Sequence, residues 1–142
     1  MRYPYPILQL IEQLKKLPGV GSKSAERYAF HLLNWSDENL KIFSIHLSSL
    51  KEKISNCKEC GALIDSSCFF CSSTERDQRT LCVLASAKNI FSIEETAEYN
   101  GLYHVLNGLL SPMHGKNPED LEIQTLINRI RRLNCKELII AL

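Results

Sequence analysis

Four cysteines within fifteen residues, Cys57, Cys60, Cys68 and Cys71, constrain this chain more than any other feature of its sequence. They form two Cys-x-x-Cys knuckles separated by seven residues. Each knuckle brings two sulfurs close enough to share one ion, and the short loop from Gly61 to Ser67 lets the second pair complete a tetrahedron with Zn–S bonds of about 2.3 Å. Four sulfurs leave no coordination position open for water, so such a site organises a fold and does not activate a nucleophile. The alternatives are two disulfides, as in a secreted domain, or four free thiols. The chain shows no apolar signal segment after Met1, and paired x-x spacings are the usual metal pattern of intracellular proteins. One structural Zn²⁺ is the expected cofactor.

With 142 residues, of which 44% are hydrophobic, the chain can bury one ordinary core or several small ones. No apolar run is long enough to span a bilayer, which reads as a cytoplasmic protein without a membrane partner. A formal charge of +1 gives no global argument for a polyanionic ligand, so any nucleic-acid surface must be local. Residues 1–56 carry eight Lys/Arg against five Asp/Glu, whereas both later stretches are slightly acidic.

Ahead of the cysteines the sequence reads as helical. Ile7, Leu10, Ile11, Leu14 and Leu17 keep a helical period that Pro18-Gly19 ends, and a second helix runs from about Ser22 to Leu33. A third begins after Ser36 as N-cap and places Leu40, Phe43, Leu47, Leu50 and Ile54 on one stripe, which is either core or dimer surface. His31 and His46 have no neighbour at metal spacing and read as packed or solvated histidines. After the cysteines the period changes. Leu81 to Ala85, Tyr103 to Leu106 and Glu137 to Leu142 read as strands, with helices at Ala87 to Thr96 and Glu119 to Leu133, the latter opened by Asn117-Pro118-Glu119-Asp120. This βαβαβ order predicts a parallel sheet. Cys82 and Cys135 lack x-x partners and read as core thiols.

Between the first two helices lies Leu17-Pro18-Gly19-Val20-Gly21-Ser22-Lys23-Ser24-Ala25. Gly19 and Gly21 allow a hairpin whose backbone N–H groups point outward at the start of the next helix, a phosphate cradle. Lys23 and Arg27 follow one helical turn apart and can reach the same phosphates. This is the pattern of a helix-hairpin-helix, which grips DNA by its backbone and reads no sequence. Lys15, Lys16 and the cluster of Arg129, Arg131 and Arg132 are the next candidates for a DNA surface. A glycine-rich turn with solvated cations is the plainer reading. The spacing fits neither a Walker loop nor a dinucleotide fingerprint.

The run Leu17–Leu33, the four-cysteine finger at 57–71 and Leu-Ser-Pro-Met-His-Gly-Lys-Asn-Pro-Glu-Asp-Leu at 110–121 occur together in one order, and across essentially the whole chain they resemble the bacterial recombination-mediator family RecR. The resemblance implies an α+β multi-module fold: a helix-hairpin-helix region (1–56), a four-cysteine zinc finger (57–72) and a partial Toprim α/β parallel-sheet domain (79–142). It implies sequence-nonspecific DNA binding, with Lys23 and Arg27 at the family's basic hairpin positions, and joint action with RecO, in some settings RecF, to load recombinase at single-stranded gaps.

Three departures from the family pattern bear on chemistry and assembly. The inner loop of the finger has seven residues where eight are usual, which a flexible loop absorbs. The first Toprim strand usually ends in an acidic residue, where this chain has Ala85, and His114 stands in place of the acidic residue of the Ser-Pro loop. Toprim enzymes hold Mg²⁺ on such carboxylates, so a catalytic site is not expected here. The family also continues beyond the position of Leu142, which points to dimers through the N-terminal helices, with the family's ring-shaped tetramer less expected. A non-catalytic mediator is the leading reading; a shortened member that keeps zinc without mediator activity and a Toprim nuclease or topoisomerase fragment are the alternatives.

Overall fold

The computed structural model describes residues 3–108 and 123–142. The chain divides into two compact units, residues 1–50 and 51–142. The first holds α1 (Tyr5–Leu14), α2 (Ser22–Leu33) and the greater part of α3 (Asp37–Lys53). Ile11 of α1 is buried against Ala25 and Ala29 of α2, whose small side chains let the two helices approach closely, and Ile7, Leu10, Leu14 and Val20 close around them. Burying such apolar surface contributes about 25 cal/mol per Å² and outweighs what α1, only ten residues long, could gain from propensity alone.

The apolar period suggests that α1 reaches Leu17, but it closes at Leu14. Proline disfavours the helical region for the residue before it, so Pro18 acts back on Leu17. Residues 16 and 17 instead donate to the carbonyls of Gln13 and Leu14 at 3.1 Å, tightening the exit. In α3 the hydroxyl of Ser36 accepts from the N–H of Asn39 at 3.3 Å, as expected of its N-cap. Of the stripe read from the sequence, Leu40 is half-buried, but the rest is not core. Phe43, Leu47, Leu50 and Ile54 are all exposed, Leu47 by 59%.

The second unit begins with a two-residue antiparallel ladder, β1 (Ser55–Asn56) against β2 (Leu63–Ile64), followed by the single-turn α4 (Phe69–Ser72). Then come β3 (Asp77–Leu84), α5 (Lys88–Glu94), β4 (Gly101–Val105), α6 (Ile123–Leu133) and β5 (Glu137–Ala141). The sheet is parallel with β3 in the middle, in the order β4-β3-β5, as the βαβαβ pattern predicts. The last four residues of β3 and all of β4 are buried, which is why both read as continuous apolar runs and not as alternating strands. β3 starts four residues earlier than its apolar run, because Asp77 to Thr80 are polar and mostly exposed. Cys82 is core, as expected. Cys135 is not: it is half-buried in the turn before β5, its thiol donating to the carbonyls of Arg79 and Glu137 at 3.2 and 3.0 Å. The Asn117–Asp120 helix start, His114 and the 110–121 motif lie outside the described residues.

Candidate metal centre and nucleic-acid interface

The finger is built by two tight turns. In the first, Gly61 N–H closes on the carbonyl of Cys57 and Cys57 N–H on that of Ala62, both at 2.8 Å. Gly61 has φ +76°, and a Cβ there would stand 2.9 Å from Cβ of Val105, so only glycine fits both the backbone and the space. In the second, Cys68 caps α4, its Sγ accepting from the N–H of Cys71 at 3.4 Å. The turns bring the four sulfurs within 4.8 Å of one another, and Cys60 and Cys68 Sγ are 3.5 Å apart. Tetrahedral Zn–S bonds of about 2.3 Å require sulfur separations of about 3.8 Å. The donor set therefore fits a metal ion, with Cys57 and Cys60 buried and Cys68 and Cys71 half-buried.

The thiols also interact electrically. The hydrogen bond from Cys60 holds Cys71 well below the ordinary thiol value, at about 6, with the Arg129 charge helping and burial opposing. The same hydrogen bond, then burial, pushes Cys60 far up. Four ionised sulfurs in so small a space repel one another unless a cation sits among them.

The finger does not stand apart from the sheet. Cys57, Cys60, Ala62 and Phe70 share one apolar core with Cys82 and Leu84 of β3, Ile90 of α5, and Tyr103 and Val105 of β4. Val105 N–H donates to the carbonyl of Cys60 at 2.8 Å, and the rings of Phe70 and Tyr103 meet edge to face at 5.3 Å. Two arginines of α6 also reach the finger. Arg132 forms a two-pronged ion pair with Glu59, in the first knuckle, and its hydrogen bonds hold the Glu59 carboxyl below its usual value. Arg129 is only 4% exposed and donates to Cys71 Sγ at 3.4 Å and to the carbonyl of Tyr103. The expectation that Arg129 joins Arg131 and Arg132 in a reserve nucleic-acid surface is therefore corrected, because Arg129 is buried, whereas Arg132 stays exposed in its pair with Glu59. The signal that marks Arg129 is phase: it lies three residues after Leu126 and four before Leu133, on the inward stripe of α6. His104, 2% exposed on β4 and 3.5 Å from Arg129, has no metal-like spacing that would single it out in the sequence.

The hairpin residues occupy the other unit. Gly19 has φ +78°, the left-handed conformation that turns the chain after Pro18, and open space surrounds it. Gly21 is the N-cap of α2 with extended backbone and contributes no side chain to cap the helix. The first N–H groups of α2 thus keep the positive end of the helix dipole for an external anion. Gly19, Gly21, Lys23 and Arg27 are all exposed, with Arg27 lying over the Tyr28 ring at 5.4 Å.

Comparison with known proteins agrees with this arrangement. The description "RecR, helix-hairpin-helix" matches residues 7–49, and "Toprim domain" matches residues 79–142. The chain is 53% identical over 143 aligned positions to the recombination protein RecR of Protochlamydia amoebophila, covering 100% of this chain and 72% of that protein. This chain belongs to the RecR family. It is also 45% identical to the recombination protein RecR of Oenococcus oeni, across 100% of this chain and 73% of that one, and 42% identical to that of Staphylococcus saprophyticus, across 100% and 72%. Within the Toprim match, Ala85 directly follows the last residue of β3, at the tip of the central strand. A methyl group there offers no oxygen to a hard cation. No described helix is long and apolar enough to cross a membrane.

Proposed function

We propose that this chain is a non-catalytic, DNA-binding mediator of recombinational repair, acting with RecO, and in some settings RecF, to load recombinase at single-stranded gaps. Its working parts would be a helix-hairpin-helix region (1–56), a zinc finger (57–72) and a Toprim domain (79–142). The observation that carries the reading is the glycine-capped start of α2, with Lys23 and Arg27 exposed one turn apart beside it. The amides following Gly19 and Gly21 would donate to phosphate oxygens while the two cations neutralise backbone charge, which holds DNA in register without contact to any base edge. Cys57, Cys60, Cys68 and Cys71 would hold one Zn²⁺. Bound there, the ion supplies structural cross-linking and no Lewis acidity to substrate, because its four positions are filled.

The test is DNA binding by a Lys23→Glu/Arg27→Glu double variant at several salt concentrations. Wild-type affinity should be indifferent to sequence and fall steeply with salt, and the variant should lose most of the affinity and flatten the slope by about two charges. Unchanged affinity would move the DNA surface to other residues, with Lys15 and Lys16 next in line.

A further inference from the structure

Arg129 is a buried cation that the helix-hairpin-helix and the ligand set leave unexplained. Removing a guanidinium from water is costly unless an anion and hydrogen-bond acceptors meet it. Its acceptors are one backbone carbonyl, Tyr103 O, and one sulfur, Cys71 Sγ at 3.4 Å, with His104 Nδ1 at 3.5 Å. Its Nε is buried without a hydrogen-bond partner among the described residues. The ion pairs of the described residues join Lys15 to Glu12, Arg76 to Glu94 and Arg132 to Glu59, so none of them supplies Arg129 with a carboxylate. The anionic group beside it is the cysteine cluster. Four thiolates around one divalent cation leave net negative charge on the sulfurs, which a guanidinium at hydrogen-bond distance offsets.

We propose that Arg129 is a positioning residue of the metal centre, orienting the Cys71 sulfur and supplying its counter-charge from α6, so that metal loading and the seating of α6 on the sheet are thermodynamically coupled. The inference rests on the reading of the cysteines as a zinc site. Coupling runs both ways: loss of the ion frees the sulfurs from the arrangement that meets Arg129, and loss of Arg129 weakens the hold on the ion. Arg132, on the same helix and also bridged to the finger, donates to the Glu59 carboxylate where Arg129 donates to a sulfur, and serves as the internal comparison.

The experiment measures zinc content and zinc affinity, by competition with a chromophoric chelator, for the wild type, Arg129→Met, Arg129→Lys and Arg132→Met. The wild type should hold one zinc per chain. Arg129→Met should lose about 10- to 100-fold in affinity, Arg129→Lys should recover part of it, and Arg132→Met should match the wild type. Equal affinities for wild type and Arg129→Met, or equal losses in the Met variants of both arginines, overturn the proposal while leaving the zinc reading intact. A wild type without zinc overturns both. Should Arg129→Met not fold, hydrogen exchange of the wild type decides: removing zinc with a chelator should speed exchange in α6 more than in α5, and equal changes in the two helices refute the coupling.

Discussion

At the scale of single residues, cysteines of similar burial have different work. Cys57 and Cys82 are both buried and both touch the shared core, but only Cys57 stands among the four clustered sulfurs. Cys57→Ser should therefore abolish zinc binding and lower the thermal midpoint far more than Cys82→Ser, which exchanges one small buried group for another. Metal analysis alongside thermal unfolding checks this, and equal midpoints for the two variants would contradict it. Gly61 makes a second residue-scale prediction. With φ +76° and a hypothetical Cβ only 2.9 Å from Val105, Gly61→Ala should cost about 2 kcal/mol or more, since backbone strain and overpacking add. Denaturant unfolding measures it directly. Gly21→Ala, in open space and with φ −82°, should cost much less.

Among the secondary-structure elements, β3 decides whether the Toprim fold can do chemistry in this chain. Its C-terminal tip lies in the middle of the sheet, where parallel α/β folds place their functional groups, and the next residue is Ala85. Phosphoryl transfer on DNA builds charge at phosphorus that carboxylate-held metal must offset. Purified protein with Mg²⁺ should neither cleave nor relax supercoiled DNA. Turnover that follows the protein through purification would show that other residues assemble a site. In α6 the apolar stripe and the arginines divide the work: the stripe binds the helix to the unit, and Arg129 and Arg132 bind it to the finger. Solvent screens an exposed pair such as Arg132–Glu59, so the buried Arg129 matters more to that junction.

For the whole molecule, the exposed stripe of α3 calls for a partner surface. Phe43, Leu47 and Leu50 form an exposed apolar row along α3, a helix with no buried residue, an arrangement monomers rarely leave in water. Light scattering should therefore find dimers, and Leu47→Glu with Leu50→Glu should shift them towards monomers without lowering zinc content. Monomers at micromolar wild-type concentration would assign the stripe another role.

Much of this molecule is legible in its sequence because the relevant signals are local. Cys-x-x-Cys spacing, the Gly19-Val20-Gly21 turn, the Ser36 cap and the alternation of apolar strands with helical periods all act through neighbours a few residues apart. They anticipate the helices, the parallel sheet and the gathering of Cys57, Cys60, Cys68 and Cys71. Other features depend on contacts between distant segments. The helical period of α1 does not reveal that Pro18 stops it at Leu14. Cys135, between Asn134 and Lys136, gives no sign in the sequence that its thiol meets the carbonyl of Arg79, 56 residues away. The finger shares its core with β3, β4 and α5, although composition suggests a separate module. The burial of Arg129 follows from the meeting of residues 58 apart, Arg129 and Cys71, which no periodicity encodes. Local preference sets which elements form, whereas long-range packing sets which charges lose their water, and the second depends on the whole folded chain.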